Sequence, residues 1–170
     1  MAERYLVVDR LKFSYEGLFN AAELYNLIAS WFYEKGWDWY EKINDEQVTP
    51  RGKQITILLE PSKSTSDYYK LQMRIRLHMV DVKDVEVDHE GKVLRLNHGL
   101  VRVTFDGYIF ADRKDQWSSS PVYWFLSLIF DNYLFKKYFE RMDTWIKSDI
   151  DDLHDKIKNY LNVFKYSYHV

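Results

Sequence analysis

The sequence predicts an α+β fold in which a curled antiparallel sheet of about six strands packs with one N-terminal helix and a long C-terminal helix. Three patterns carry that expectation. Apolar residues alternate with polar ones near the N-terminus and again, very regularly, from Tyr69 to Met79, the period of a strand with one wet face. Turn dipeptides punctuate the stretch that follows. Finally, an apolar stripe at helical spacing runs from Phe135 to Phe164 with no glycine or proline inside it.

Strand one spans about residues 4–16, with Val7, Leu11, Phe13 and Tyr15 on the apolar side and Arg10, Lys12 and Ser14 between them. Helix one runs from about 20 to 35. Asn20 and Glu23 have capping-box spacing, Ala22, Tyr25, Ala29 and Phe32 recur at i+3 and i+4, and Gly36 suits the residue after the helix. Leu24, Ile28 and Trp31 add a second stripe, so the helix is expected to be covered on more than one side. Residues 37–53 read as an irregular connection ending in a turn at Thr49-Pro50-Arg51-Gly52, followed by a strand over 54–60 and a loop over 61–67.

After the long strand at 69–79, a tight turn near Asp81-Val82 would set Ile75 against Val87 and Leu77 against Val85, with Arg74 and Arg76 across from Asp88 and Glu86. Glu90-Gly91 makes a second two-residue turn, placing Val87 against Leu94, Val85 against Leu96 and Glu86 against Arg95. Asn97-His98-Gly99 is a third turn signal. A meander over about 54–112 follows.

Ser120-Pro121 is a helix start, with a capping hydroxyl and proline at the first helical position. The stripe of Phe135, Phe139, Met142, Ile146, Ile150, Leu153, Ile157, Tyr160 and Phe164 then implies roughly 45 residues of helix. Ser148 and Asp151 have the spacing to cap a fresh start, which would bend the helix there and leave a C-terminal helical extension over about 148–170. The acids Asp149, Asp151, Asp152 and Asp155 would then favour the new helix N-terminus.

The chain has 170 residues with 24 Lys+Arg against 26 Asp+Glu, which fits one domain and no global pull toward polyanions. The absence of cysteine removes disulfide frameworks, Cys-ligated zinc, iron–sulfur clusters and thiol catalysis. The six glycines, at 17, 36, 52, 91, 99 and 107, form neither a dinucleotide fingerprint nor a P-loop, and no cofactor is expected. The charged N-terminus has no apolar leader region after it, and the longest uncharged run, residues 116–130, is shorter than the ~18 residues a span needs. A cytoplasmic address without a transmembrane segment is expected.

Candidate chemistry is thin. The row Asp84, Glu86, Asp88 and Glu90 is expected to pair with arginines across the strands rather than hold a cation. His78, His89 and His98 match no zinc spacing, so no metal site is expected, and no G-x-S-x-G elbow accompanies Ser118-Ser119-Ser120. Lys70, Arg74 and Arg76 sit on a face with expected acidic partners, so nucleic-acid binding is not expected. The most distinctive segment runs from Trp117 to Phe135, rich in aromatics. With four Lys/Arg against three acids over 121–147 it reads as core or pocket packing rather than a membrane anchor.

Strand, helix, connection, meander and long C-terminal helix is an element order that resembles the helix-grip arrangement of START and Bet v 1-like domains. The resemblance implies an apolar ligand between sheet and C-terminal helix. It departs in having one long first helix where a short helix pair is usual. The expectation is therefore a non-catalytic domain binding an apolar small molecule or lipid, with Trp124, Phe125, Leu128 and Tyr133 on the helix side and Phe105 and Tyr108 on the sheet. The alternative is a protein-interaction or self-association module, in which Ile146, Ile150, Leu153 and Ile157 pack on a partner or a second copy. An enzyme ranks third, because no nucleophile–base or acid–base pair stands out.

Overall fold

The computed structural model describes residues 3–66, 69–111, 121–130, 133 and 136–167. The element order is β1 (Glu3–Phe19), α1 (Ala21–Lys35), β2 (Glu41–Thr49), β3 (Gly52–Leu59), β4 (Ser62–Ser64), β5 (Tyr69–His89), β6 (Lys92–Ala111), α2 (Pro121–Phe130) and α3 (Lys136–Ser167). The strands form one antiparallel α+β-class sheet, ordered β1-β6-β5-β3-β2, with β4 paired to β5 beside that path. The sheet curls around α3. Its inner residues Leu71, Met73, Ile75, Leu77 and Met79 of β5, and Val101, Val103, Phe105 and Ile109 of β6, are buried in one core with Ile146, Ile150, Leu153, Ile157 and Leu161 of α3.

α1 forms where its caps predict. The Asn20 side chain accepts from the Glu23 N–H at 3.2 Å, and Gly36 takes the left-handed conformation at φ 74°. Leu24, Ile28, Trp31 and Phe32 are buried, as the broad apolar arc predicts.

The strands differ from the expected meander. β5 and β6 make one hairpin of 21- and 20-residue strands, closed by Glu90-Gly91 with both residues at positive φ. Beyond that turn the register is as expected, with Val87 opposite Leu94, Val85 opposite Leu96 and Glu86 opposite Arg95. No turn occurs at Asp81-Val82 or at Asn97-His98-Gly99. Instead Ile75 faces Phe105, Leu77 faces Val103, Arg74 faces Asp106 and Arg76 faces Thr104. The turn-like residues mark a bulge between Val80 and Lys83, with Asp81 at φ 53°. Gly99 lies against it so closely that a Cβ there would sit 2.9 Å from the Val80 carbonyl oxygen. A second irregularity, in β1 between Leu6 and Leu11, puts Arg10 at φ 52°. Its N–H donates to Asp106 Oδ1 at 2.8 Å.

Residues 41–49 are a strand rather than an irregular connection. β2 is the sheet edge, and its side chains are mostly exposed on both faces, so no apolar alternation announces it. Part of the 61–67 loop is likewise the short β4.

α3 is continuous through Ser148, so no second helix starts there. Ile150, Leu153, Ile157 and Leu161 beyond that point lie in the main core, and Phe164 packs in a smaller cluster with Leu18 and Leu96. Without a restart, the acids after Ser148 cap nothing. Asp149 accepts from Trp37 Nε1 at 3.1 Å and Asp152 from Trp31 Nε1 at 2.7 Å, so two of them satisfy indole N–H groups that burial takes from water.

Candidate functional site

The residues expected to line one cleft are dispersed. Phe105 is a core residue, edge-on to His154 of α3 with centroids 5.9 Å apart, and Phe13 meets the same imidazole at 5.6 Å. Tyr108 stands at the opposite parity of β6 and faces away from α3. It is buried between the Arg4 and Arg74 guanidiniums, 5.0 and 5.5 Å from its ring centroid. Phe105 and Tyr108 therefore lie on opposite faces of the sheet and share no wall. Phe125 and Leu128 of α2 are 61% and 45% exposed and Tyr133 is 78% exposed. Trp124 belongs to α2, with its side chain outside the described residues.

The four residues offered as a partner surface are corrected as well. Ile146, Ile150, Leu153 and Ile157 are 0 to 1% exposed because the chain's own sheet covers them. A hairpin of this length reaches along all of α3, which the short-stranded meander could not. A cluster of open apolar side chains lies on α2. That helix carries no charge, and its described apolar side chains Val122, Phe125, Leu126, Leu128 and Ile129 are all exposed. Packing of this segment into the core is thus overturned for these side chains.

Two other groupings escaped the sequence. Glu60 is nearly buried at the end of β3, held by Arg74 at 2.9 Å and Lys42 at 3.4 Å. Its place between Leu59 and Pro61 is the one local sign of its burial. Tyr25 of α1 donates a short hydrogen bond to Glu41 of β2 and packs edge-on to Trp39. That hydrogen bond, with burial and the carboxylate's charge, pushes the phenol up to about 12. Burial also raises Tyr15, whose hydroxyl donates to the Leu18 carbonyl at 2.7 Å.

The acid row finds fewer arginines than expected. Glu86 has Arg95 at 3.8 Å, and Asp84 accepts from Asn97 Nδ2 at 2.8 Å, but Arg74 and Arg76 lie far along the hairpin. His78, His89 and His98 occupy different strand positions, and among the described residues no group of three His, Asp or Glu side chains is placed to hold a metal ion. Two open troughs of about 570 and 510 Å³ lie on the outer half of the hairpin. The first is lined by Asp84, Val85, Glu86, Arg95, Leu96 and Asn97, and the second includes Arg51, Val80, Asp81, Lys83, His98 and Leu100, so charged and apolar side chains are mixed in both. No described helix is long and apolar enough to cross a membrane. No protein-family model, curated protein or solved structure matches the chain.

Proposed function

We propose that the protein is a non-catalytic binding domain for an apolar small molecule or lipid chain, and that α2 supplies the apolar contact. The observation that carries this reading is the exposure of Val122, Phe125, Leu126, Leu128 and Ile129 on a helix with no charged residue. Clustered apolar surface of that kind marks a site of interaction in soluble folds. Phe125, Leu128 and Tyr133 keep the role the sequence suggests, whereas Phe105 belongs to the core and Tyr108 to the far face of the sheet. The element order shared with helix-grip domains, a curled sheet gripping a long C-terminal helix, supports an apolar ligand without choosing one.

Displacement of a fluorescent fatty acid, read alongside native mass spectrometry, tests it. Covering a Phe or Leu is worth about 1.5–3 kcal/mol, so Phe125→Ser with Leu128→Ser should weaken uptake by roughly a hundredfold or more. Uptake unchanged in that variant would remove α2 from the site. A discrete mass lost on denaturation would give the natural ligand directly.

A further inference from the structure

We infer that the outer face of the sheet, turned away from α3, is a docking surface for an anionic phospholipid bilayer, with α2 as the apolar element that enters it. The inference rests on the reading of α2 as the apolar contact.

The register assembles the surface. Lys12, Thr104 and Arg76 stand in one row across β1, β6 and β5, and Ser14, Arg102 and His78 in the next. Toward the other end, Arg74 lies opposite Asp106, and Arg4 and Lys70 flank Phe110. The alternation that buries Met73, Ile75, Leu77, Val101 and Val103 on α3 turns these residues outward. Lys12, Lys70, Arg76 and Arg102 are exposed, and none has an ion-pair partner among the described residues. The two inner carboxylates of this face are engaged: Glu60 by Arg74 and Lys42, and Asp106 by the Arg10 N–H. Glu16 and Asp45 lie at its margins, opposite Leu100 and Thr56. Neighbouring rows are about 7 Å apart and strands about 4.8 Å, so Lys12, Arg76 and Arg102 lie about one screening length from one another and act as a common field, with Lys70 three rows away. In a chain of net charge −2, four cations without an ion-pair partner among the described residues thus share one sheet face.

The end of the sheet fixes where the apolar helix is tethered. β6 finishes at Ala111, between Glu3 and Tyr69. α3 begins with Tyr138 at 5.1 Å from the Tyr69 ring and Phe139 at 5.3 Å from that of Tyr5. The stretch bearing α2 therefore leaves and returns at the end that carries Arg4 and Lys70, with exposed Lys136 and Lys137 where it returns. Apolar insertion combined with basic attraction is the two-part requirement for stable peripheral binding. Single-stranded nucleic acid would also answer the charge, but it needs a series of open rings on which successive bases stack, and of Tyr108 and Phe110 on this face the first is buried under Arg4 and Arg74 and the second is only partly open.

The test is co-sedimentation of the full chain with vesicles of phosphatidylcholine alone or mixed with phosphatidylserine. Binding should require the anionic lipid and fall with salt. Lys12→Gln, Arg76→Gln and Arg102→Gln together should reduce partition on the order of a hundredfold, about fivefold per cation, with the circular dichroism melt and fatty-acid uptake unchanged. Equal partition on both vesicle types would overturn the proposal, as would a triple variant that binds like the parent. Retention of a single-stranded oligonucleotide under salt that abolishes vesicle binding would overturn it in favour of nucleic acid. If vesicle binding fails while fatty-acid uptake persists, the sheet face is refuted and the α2 reading stands. Salt-sensitive vesicle binding that ignores Phe125→Ser and Leu128→Ser would refute the part given to α2.

Discussion

α3 and α2 are both rich in apolar residues, and the fold treats them oppositely. In α3 the apolar groups recur every three or four residues among charges, and every member of the stripe from Met142 to Leu161 that faces the sheet is buried. In α2 they follow one another with no charge to define a second face, and the described ones lie in solvent. Periodicity marks the face that the chain can cover with its own sheet. Unbroken apolarity over ten residues exceeds what one covering layer can bury, and the surplus faces outward.

The contrast can be broken most severely on α3. Ile150 is fully buried, and its Cδ1 is so near Gly107 that a Cβ added there would lie 2.9 Å from it. Ile150→Ala should therefore cost about 2–5 kcal/mol in urea unfolding. A loss under 1 kcal/mol would mean that α3 is not gripped as described. Next in size is Asp149→Ala, which leaves the buried Trp37 N–H without its acceptor and should cost about 1–3 kcal/mol. Asp149→Asn keeps an oxygen in place and should recover part of that loss, whereas an equal loss in both variants would point to the charge instead.

A smaller effect is expected at the α1–β2 contact. Tyr25 has its phenol raised from an ordinary 10 to about 12, so its neutral form is the one the fold favours. The stabilisation is complete below pH 10 and is lost as pH rises through 12. In an alkaline absorbance titration Tyr25 should ionise late, as should Tyr15, and Glu41→Gln should bring only Tyr25 back toward its peers. A titration indifferent to that change would sink the assignment. The smallest stability effect belongs to α2: Phe125→Ser should alter unfolding free energy by no more than about 0.5 kcal/mol. A loss comparable to Ile150→Ala would show that α2 is core after all.

What the sequence made legible was periodic. The α3 stripe, the α1 caps, the β5 alternation and the Glu90-Gly91 turn all depend on neighbours within a few positions. Asp81 and Asn97 misled because bulges and turns draw on the same residues. Asn97 is in fact a mid-strand tie, accepting from the Ala21 N–H at 2.9 Å while donating to Asp84. β2 was silent because an edge strand wet on both faces has no apolar period. The indole acceptors were hidden for a different reason: Asp149 and Asp152 are 112 and 121 residues from their tryptophans, so nothing local distinguishes them from surface acids. Of the candidate site, the aromatic segment stood out by composition, but whether it is covered depends on tertiary packing.

The strand order also sets a timetable. Among the described strands β1 pairs with β6 alone, so Tyr5 must find Ile109 and Phe13 must find Val103 across about a hundred intervening residues. Closing so large a loop is entropically slow, and sheets dominated by such pairings fold in milliseconds to seconds rather than microseconds. On a ribosome, β1 and α1 emerge well before their partners, with the Trp31 indole N–H without its acceptor until Asp152 of α3 arrives. Late closure of the first strand on the last makes the nascent N-terminal third the stretch most in need of a chaperone.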